Sequence, residues 1–283
     1  MSAPIRIGEN VVIGGGQPWS LIAGPCVIES EAHCLMLAER LREMTAAAGV
    51  GFIFKASFDK ANRSSARSFR GPGLKEGLRI LESVRQRFNV PVLTDVHESG
   101  QVAAVAEVCD VVQIPAFLCR QTDLLVAAGA HARCVNIKKG QFLSAPEMRH
   151  AVAKVASGGP APVLLTERGN CFGYNNLVVD FRNLGRLRDL GCPVVFDATH
   201  SVQLPAAQGE SSGGEPAFIP GLARAALACG VDALFFEVHE APERALSDGA
   251  NALPLHRLPR LLQELRQLGE LCRNLDSAGA VQG

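Results

Sequence analysis

Residues 50–94 read VGFIFKASFDKANRSSARSFRGPGLKEGLRILESVRQRFNVPVLT, and this stretch decides the fold. Val50 to Phe54 is a short continuous apolar run, the form taken by a strand buried on both faces. Gly73 to Phe88 follows with helical spacing, and Val90 to Thr94 is a second apolar run. Strand, loop, helix, strand is the unit of a parallel sheet covered by helices.

The same unit occurs along the rest of the chain. Ser20 to Ala23 precedes Glu31 to Ala48, Val90 to Thr94 precedes Glu98 to Val108, and Val111 to Ile114 precedes Thr122 to Ala128. Cys134 to Ile137 then precedes Ala145 to Ser157, and Val163 to Thr166 precedes Val179 to Leu190. Val194 to Phe196 precedes Ile219 to Cys229, and Ala233 to Phe236 precedes Leu255 to Leu271. Eight units predict an α/β protein, a single (β/α)8 TIM barrel over residues 1–283. A doubly wound open sheet is the structural alternative, and no strand is followed by the GxGxxG turn that often marks one. Ile5 to Ile13 reads as a short N-terminal β-hairpin, and a disordered tail is expected from about residue 274 to 283. Ala206 to Glu215, AAQGESSGGE, sits after strand seven, where a mobile lid would go.

Composition narrows the function classes. The 283 residues are 47% hydrophobic, and Lys plus Arg equals Asp plus Glu at 28 each. No overall field favours nucleic acid or an anionic membrane. No apolar run reaches the ~18 residues of a membrane helix, and the first residues lack a secretory pattern. A cytoplasmic protein is expected. Nine cysteines without CxxC spacing, including Cys34, Cys109, Cys134, Cys192 and Cys229 in apolar segments, read as mostly reduced core residues.

In such a barrel the residues just past each strand's carboxyl end share one rim, which hosts the site. Here they are Cys26, Lys55 with Lys60, Asp95 with His97, Gln113, Lys138, Arg168, Asp197 with His200, and Glu237 with His239. Lys55, Lys60, Arg63, Lys138 and Arg168 form a cationic set able to hold a phosphate with a carboxylate, or two phosphates. The plainer reading pairs each with a nearby acid such as Asp59 or Glu167. Cys26, His200, Glu237 and Asp248 form a mixed-softness donor set suited to Zn, Fe or Mn rather than Mg or Ca. Those ligands follow no short spacing motif, so a packed Cys and a hydrogen-bonded His stand as the alternative.

The segments GPCVIES (24–30), KASFDKANRSS (55–65), TDVHE (94–98), QIPAFLCRQTDLL (113–125), NIKKGQF (136–142), TERGNCFGYNNLVVDFR (166–182), FDATHSVQLP (196–205) and FFEVHEAPERALSDGANALPL (235–255) carry a resemblance. They resemble the 3-deoxy-D-manno-octulosonate 8-phosphate synthase family over nearly the whole chain. The resemblance implies a transferase that condenses phosphoenolpyruvate with D-arabinose 5-phosphate for lipopolysaccharide (Kdo) biosynthesis. It implies that Lys138 and Arg168, with Gln113 and the backbone near Ala116, hold the phosphoenolpyruvate phosphate. Lys55, Ser57 and Lys60 would face its carboxylate. Asn62, Arg63 and Ser64 would take the aldose phosphate, Asp95 the sugar hydroxyls, and Arg120 would reach a neighbouring subunit of a homotetramer. Cys after Gly-Pro marks the family's metal-dependent form, and His200, Glu237 and Asp248 match its metal pattern, which implies a divalent ion.

Two rivals remain at this level. The related 3-deoxy-D-arabino-heptulosonate 7-phosphate synthase uses erythrose 4-phosphate and carries a Lys-Pro-Arg-Thr-Ser type motif after strand two. This chain has Lys60-Ala61-Asn62-Arg63-Ser64 there, so Asn62 discriminates. A non-catalytic sugar-phosphate-binding barrel would need the cations but not Cys26 with His200.

Overall fold

The computed structural model describes residues 2–63, 65, 67–205 and 213–280. Eight parallel strands form the barrel: Ser20–Gly24, Gly51–Lys55, Val92–Asp95, Val111–Ile114, Val135–Lys138, Val163–Glu167, Val194–Asp197 and Ala233–His239. Each pairs with the next in sequence, and strand eight pairs with both strand seven and strand one, which closes the ring. Helices α1 (Glu31–Ala48), α2 (Leu74–Phe88), α3 (Val102–Val108), α4 (Thr122–His131), α5 (Met148–Gly158), α6 (Arg182–Arg188), α7 (Ile219–Ala228) and α8 (Leu258–Ala280) cover it. The open doubly wound sheet is thereby excluded.

Strand alternation sorts the core into two parts. Outward residues such as Phe52, Phe54, Val112, Ile137, Leu165, Phe196 and Phe236 pack under the helices. Inward residues Ile22, Ile53, Leu93, Val111, Leu164, Val195 and Phe235 fill the lumen. The lumen core also contains Ile5, Ile7, Val11 and Ile13. These belong to the expected hairpin, Ile5–Ile7 paired antiparallel with Val11–Ile13, whose apolar residues alternate onto one face. The hairpin therefore stoppers the amino-terminal mouth of the barrel.

Three expectations need correction or bounds. Of the tail expected from about residue 274, the part to Ala280 belongs to α8, and residues 281–283 lie outside the described residues. Cys229 is exposed, unlike the other four apolar-segment cysteines, because it follows the last turn of α7. The proposed lid lies mostly outside the described residues, although Gly213–Gly214 pairs with Gln203–Leu204.

Gly24 sits inward at the top of strand one, where a Cβ would lie 1.9 Å from the Lys55 carbonyl oxygen. Only glycine permits that approach of backbone to backbone. Gly24→Ala is expected to destabilise the protein by about 1–3 kcal/mol, seen as a lower Tm. A Tm equal to wild type would contradict this packing.

Candidate active site

The inward positions change character on climbing the lumen. Above the apolar layer lies a chain of neutral groups: Asn136 Nδ2 donates to Gln113 Oε1 at 3.0 Å, and Thr166 Oγ1 donates to Asn136 Oδ1 at 2.6 Å. Lys138 and Arg168 are the next inward residues beyond Asn136 and Thr166, while Lys55, Asp95, Asp197 and Glu237 follow the apolar layer directly on their strands, and all six are buried. The same two-residue period that hides leucines lower down thus aims every one of these groups at a common axis.

Glu237 sits at the meeting point. Lys55 Nζ lies 3.3 Å and Lys60 Nζ 3.6 Å from its Oε1, and His200 Nε2 is 3.4 Å from the same oxygen. Burial alone would raise the Glu237 pKa, but His200, Lys60, Lys55 and Lys138 outweigh it and hold the carboxyl well below its usual range. Lys55 also donates to the Cys26 carbonyl and to Ser57 Oγ, each at 3.0 Å. Ser57 Oγ donates to Asp95, whose other oxygen lies 3.1 Å from His97 Nε2. Burial would raise Asp95 as well, yet His97, Lys55 and Lys60 keep it ionised.

Asp197 organises the opposite side. It accepts from Lys138 Nζ and lies 2.6 Å from His200 Nδ1. Its second oxygen accepts from the Thr199 hydroxyl at 3.0 Å and from the His200 amide at 2.9 Å. The Thr199 hydroxyl oxygen in turn accepts from the Glu237 amide at 3.0 Å. Burial lowers the Lys138 pKa, with Asp197 opposing. Arg168 places Nη2 on Gln203 Oε1 at 2.9 Å, while its buried Nη1 has no partner among the described residues.

The acids named from sequence as possible neutralisers are engaged elsewhere. Asp59 pairs with Arg70, and Glu167 lies 3.5 Å from Lys139. Glu237 and Asp197 face the cations instead. Sequence reading placed Asp197 on the rim without a role, and missed Thr199, Ser247 and the Lys139–Glu167 pair. The signal for Asp197 was its place three residues before His200, where an Asp–His contact across one turn is available.

The four donor residues converge as their rim positions imply. Cys26 Sγ lies 2.8 Å from Ser247 Oγ and 3.4 Å from Asp248 Oδ2, and His200 Nε2 lies 3.9 Å from the same Asp248 oxygen. One donor atom each from Cys26, Glu237 and Asp248 lies within 4.8 Å of the others. Burial, then Asp248 and Glu237, push the Cys26 thiol well above its ordinary pKa. Glu237 Oε2 is buried without a partner among the described residues. A divalent cation among these donors would satisfy that oxygen and deprotonate the thiol, so the residues fit a metal.

A second group, Glu29, His33 and His239, also gathers within metal-ligand reach of one another. His239 Nδ1 accepts from the Ala241 amide at 3.0 Å. That bond leaves the proton on Nε2, which faces Glu29 Oε1 at 3.4 Å. His33 Nε2 meets Glu240 Oε2 at 2.9 Å, while His33 Nδ1 and His239 Nε2 have no hydrogen-bond partner among the described residues.

The substrate loop after strand two is placed in part. Asn62 is exposed, and Arg63 donates to the Phe69 and Leu246 carbonyls with Nη1 3.9 Å from Asp248. Ser64 lies outside the described residues. Ala116 is buried beyond strand four, and Arg120 is exposed.

Charged side chains gathered at the carboxyl-end rim of a (β/α)8 barrel mark a candidate active site, and comparison assigns the family. The chain belongs to the DAHP synthetase I family, whose model matches residues 2–274. A 2-dehydro-3-deoxyphosphooctonate aldolase of Syntrophotalea carbinolica is 59% identical, covering 93% of this chain and 95% of that protein. Proteins of the same name from a Cyanothece strain and from Desulfatibacillum aliphaticivorans are 58% and 56% identical. They cover 92% and 94% of this chain, and 96% and 97% of their own lengths.

Proposed function

We propose that this chain condenses phosphoenolpyruvate with D-arabinose 5-phosphate and water, giving 3-deoxy-D-manno-octulosonate 8-phosphate and inorganic phosphate for lipopolysaccharide biosynthesis. The observation that carries this reading is the convergence of Lys55, Lys60, Lys138 and Arg168 with Cys26, His200, Glu237 and Asp248 around one buried axis. The names of the relatives favour the eight-carbon product over the seven-carbon one.

In this reading Lys138 and Arg168 take the phosphoenolpyruvate phosphate, with Gln113 and the backbone at Ala116 beside them. The unpartnered edge of Arg168 suits a phosphate oxygen. Lys55, Ser57 and Lys60 face the carboxylate, Asp95 the sugar hydroxyls, and Asn62, Arg63 and Ser64 the far phosphate. C3 of the enol attacks the aldehyde carbon and forms the new C–C bond. Water adds to C2, and the bond from C2 to the phosphate oxygen breaks, its electron pair leaving with phosphate. Fixed cations hold the enol face and offset the charge on the departing phosphate. A Zn, Fe or Mn ion held by Cys26, His200, Glu237 and Asp248 would supply Lewis acidity toward the aldehyde or the water. Asp197 keeps the His200 Nε2 directed at that set by engaging Nδ1.

We also read the enzyme as a cytoplasmic homotetramer. No helix among the described residues is long and apolar enough to cross a membrane. Phe117, Phe142, Phe172 and Tyr174 are exposed on the loops after strands four, five and six, close in sequence to the exposed Arg120. Exposed aromatics of that kind favour cover by a second copy.

The test supplies phosphoenolpyruvate with each aldose phosphate and measures phosphate release. Turnover is expected to be at least ~10²-fold greater with arabinose 5-phosphate than with erythrose 4-phosphate, since a misplaced far phosphate forfeits positioning. Faster turnover of the four-carbon aldose would reverse the assignment, and no release with either would leave a binding barrel.

A further inference from the structure

Lys138 and Arg168 each have a sequence neighbour that faces the opposite way. Strand alternation points Lys138 and Arg168 into the lumen, and Lys139 and Glu167 away from it, under the loops that follow strands five and six. Both outward residues are fully buried, with Lys139 Nζ 3.5 Å from Glu167 Oε1.

Each partner grips the backbone of a loop. Lys139 Nζ donates to the carbonyls of Gly140 and Leu143, both at 3.2 Å, and to Asn170 Oδ1 at 3.0 Å. Glu167 Oε1 accepts from the Arg168 amide at 3.0 Å and the Gly169 amide at 2.7 Å. The loops also meet directly, the Cys171 amide donating to the Gln141 carbonyl at 3.0 Å. Gly169 has φ +93°, so its backbone leaves the strand by a turn that needs fixing from outside.

Burying an ammonium and a carboxylate costs both their hydration, and an apolar pair would pack at least as favourably. An apolar pair cannot bond the polar groups of two loops at once. We propose that Lys139 and Glu167 are positioning residues that set Lys138 against Arg168, so that both cations meet one phosphate. The inference rests on the phosphate reading of Lys138 and Arg168 given above. Neither residue reaches the lumen, so neither is a catalytic residue.

The test uses the full-length, metal-loaded enzyme and compares Lys139→Met, Glu167→Leu and Glu167→Gln. Phosphate release gives KM for each substrate, calorimetry gives phosphoenolpyruvate binding, and Tm is recorded for each variant. Lys139→Met and Glu167→Leu are expected to raise KM for phosphoenolpyruvate by about tenfold or more, with KM for arabinose 5-phosphate within about twofold. Glu167→Gln keeps an oxygen for the two amides and is expected to recover most of that loss. A fall in Tm with KM for phosphoenolpyruvate unchanged, or an equal rise in both KM values, would assign the pair to stability alone. Should the larger substitutions fail to fold, Glu167→Asp decides, because its shorter arm draws the carboxylate from both amides while keeping the charge. KM for phosphoenolpyruvate is then expected to rise severalfold, and an unchanged value overturns the proposal. Wild-type enzyme that neither binds nor turns over phosphoenolpyruvate would overturn the phosphate reading itself, whereas unchanged variants of an active enzyme overturn only the positioning role.

Discussion

Lys138→Met is expected to lower kcat for phosphate release by about 10²–10³-fold, the usual loss when one preorganised electrostatic donor is removed. Lys138 is buried, bonded to Asp197, 3.3 Å from His200 Nδ1, and its Nζ stands 4.0 Å from the centre of the Phe235 ring. Methionine preserves most of the stem and its packing on Phe235, so the change isolates the charge. The substitution also leaves a buried carboxylate short of a cation, and breaking a buried pair costs about 3–5 kcal/mol. Tm should therefore fall along with kcat. The kinetics are read on protein shown by circular dichroism to be folded at the assay temperature. A kcat within tenfold of wild type would remove Lys138 from the reaction and leave it a structural partner of Asp197.

Removal of divalent metal is the second large effect. Treatment with a chelator is expected to abolish phosphate release, and added Zn, Mn or Fe(II) to restore it. Even outer-shell changes cost about 10–100-fold in metal affinity or activity, so loss of a ligand should cost at least that. Cys26→Ala should accordingly bind far less metal per chain, by atomic emission, with its fold intact. Cys26→Asn is expected to keep the fold and some activity, since the family resemblance implies that Asn serves this position in metal-independent forms. Full phosphate release after complete metal removal would sink the metal reading. A Cys26→Asn protein that does not fold would make the thiol a packing group, as its 2.8 Å contact with Ser247 allows.

The barrel was legible because strands buried on both faces write themselves as unbroken apolar runs, and helices between them as periodic ones. Val111 to Ile114 and Glu31 to Ala48 match their elements without adjustment. The predicted helix starts Glu98 and Ala145 were early, because single 3-10 turns at Ser99–Gln101 and Ala145–Glu147 lead into α3 and α5. Both turns begin with a capping box, a signal read as part of the helix it precedes. Site residues were legible as positions, since the carboxyl ends of strands must share a rim, but their partners were not. Which acid faces which base depends on the parity of each strand. Glu167 and Asp197 both end strands, yet one faces the helices and the other the lumen. The roles of Asn62 and Ser64 came from resemblance alone, since an exposed asparagine has no local pattern that names its ligand.

With Ile5, Ile7, Val11 and Ile13 sealing one end, the barrel is a cup, and traffic to the charged layer passes one doorway formed by the loops of the opposite rim. Two anionic substrates and the water consumed in the reaction must share that doorway. In the proposed reaction the water that adds to C2 would enter by the same route as the substrates.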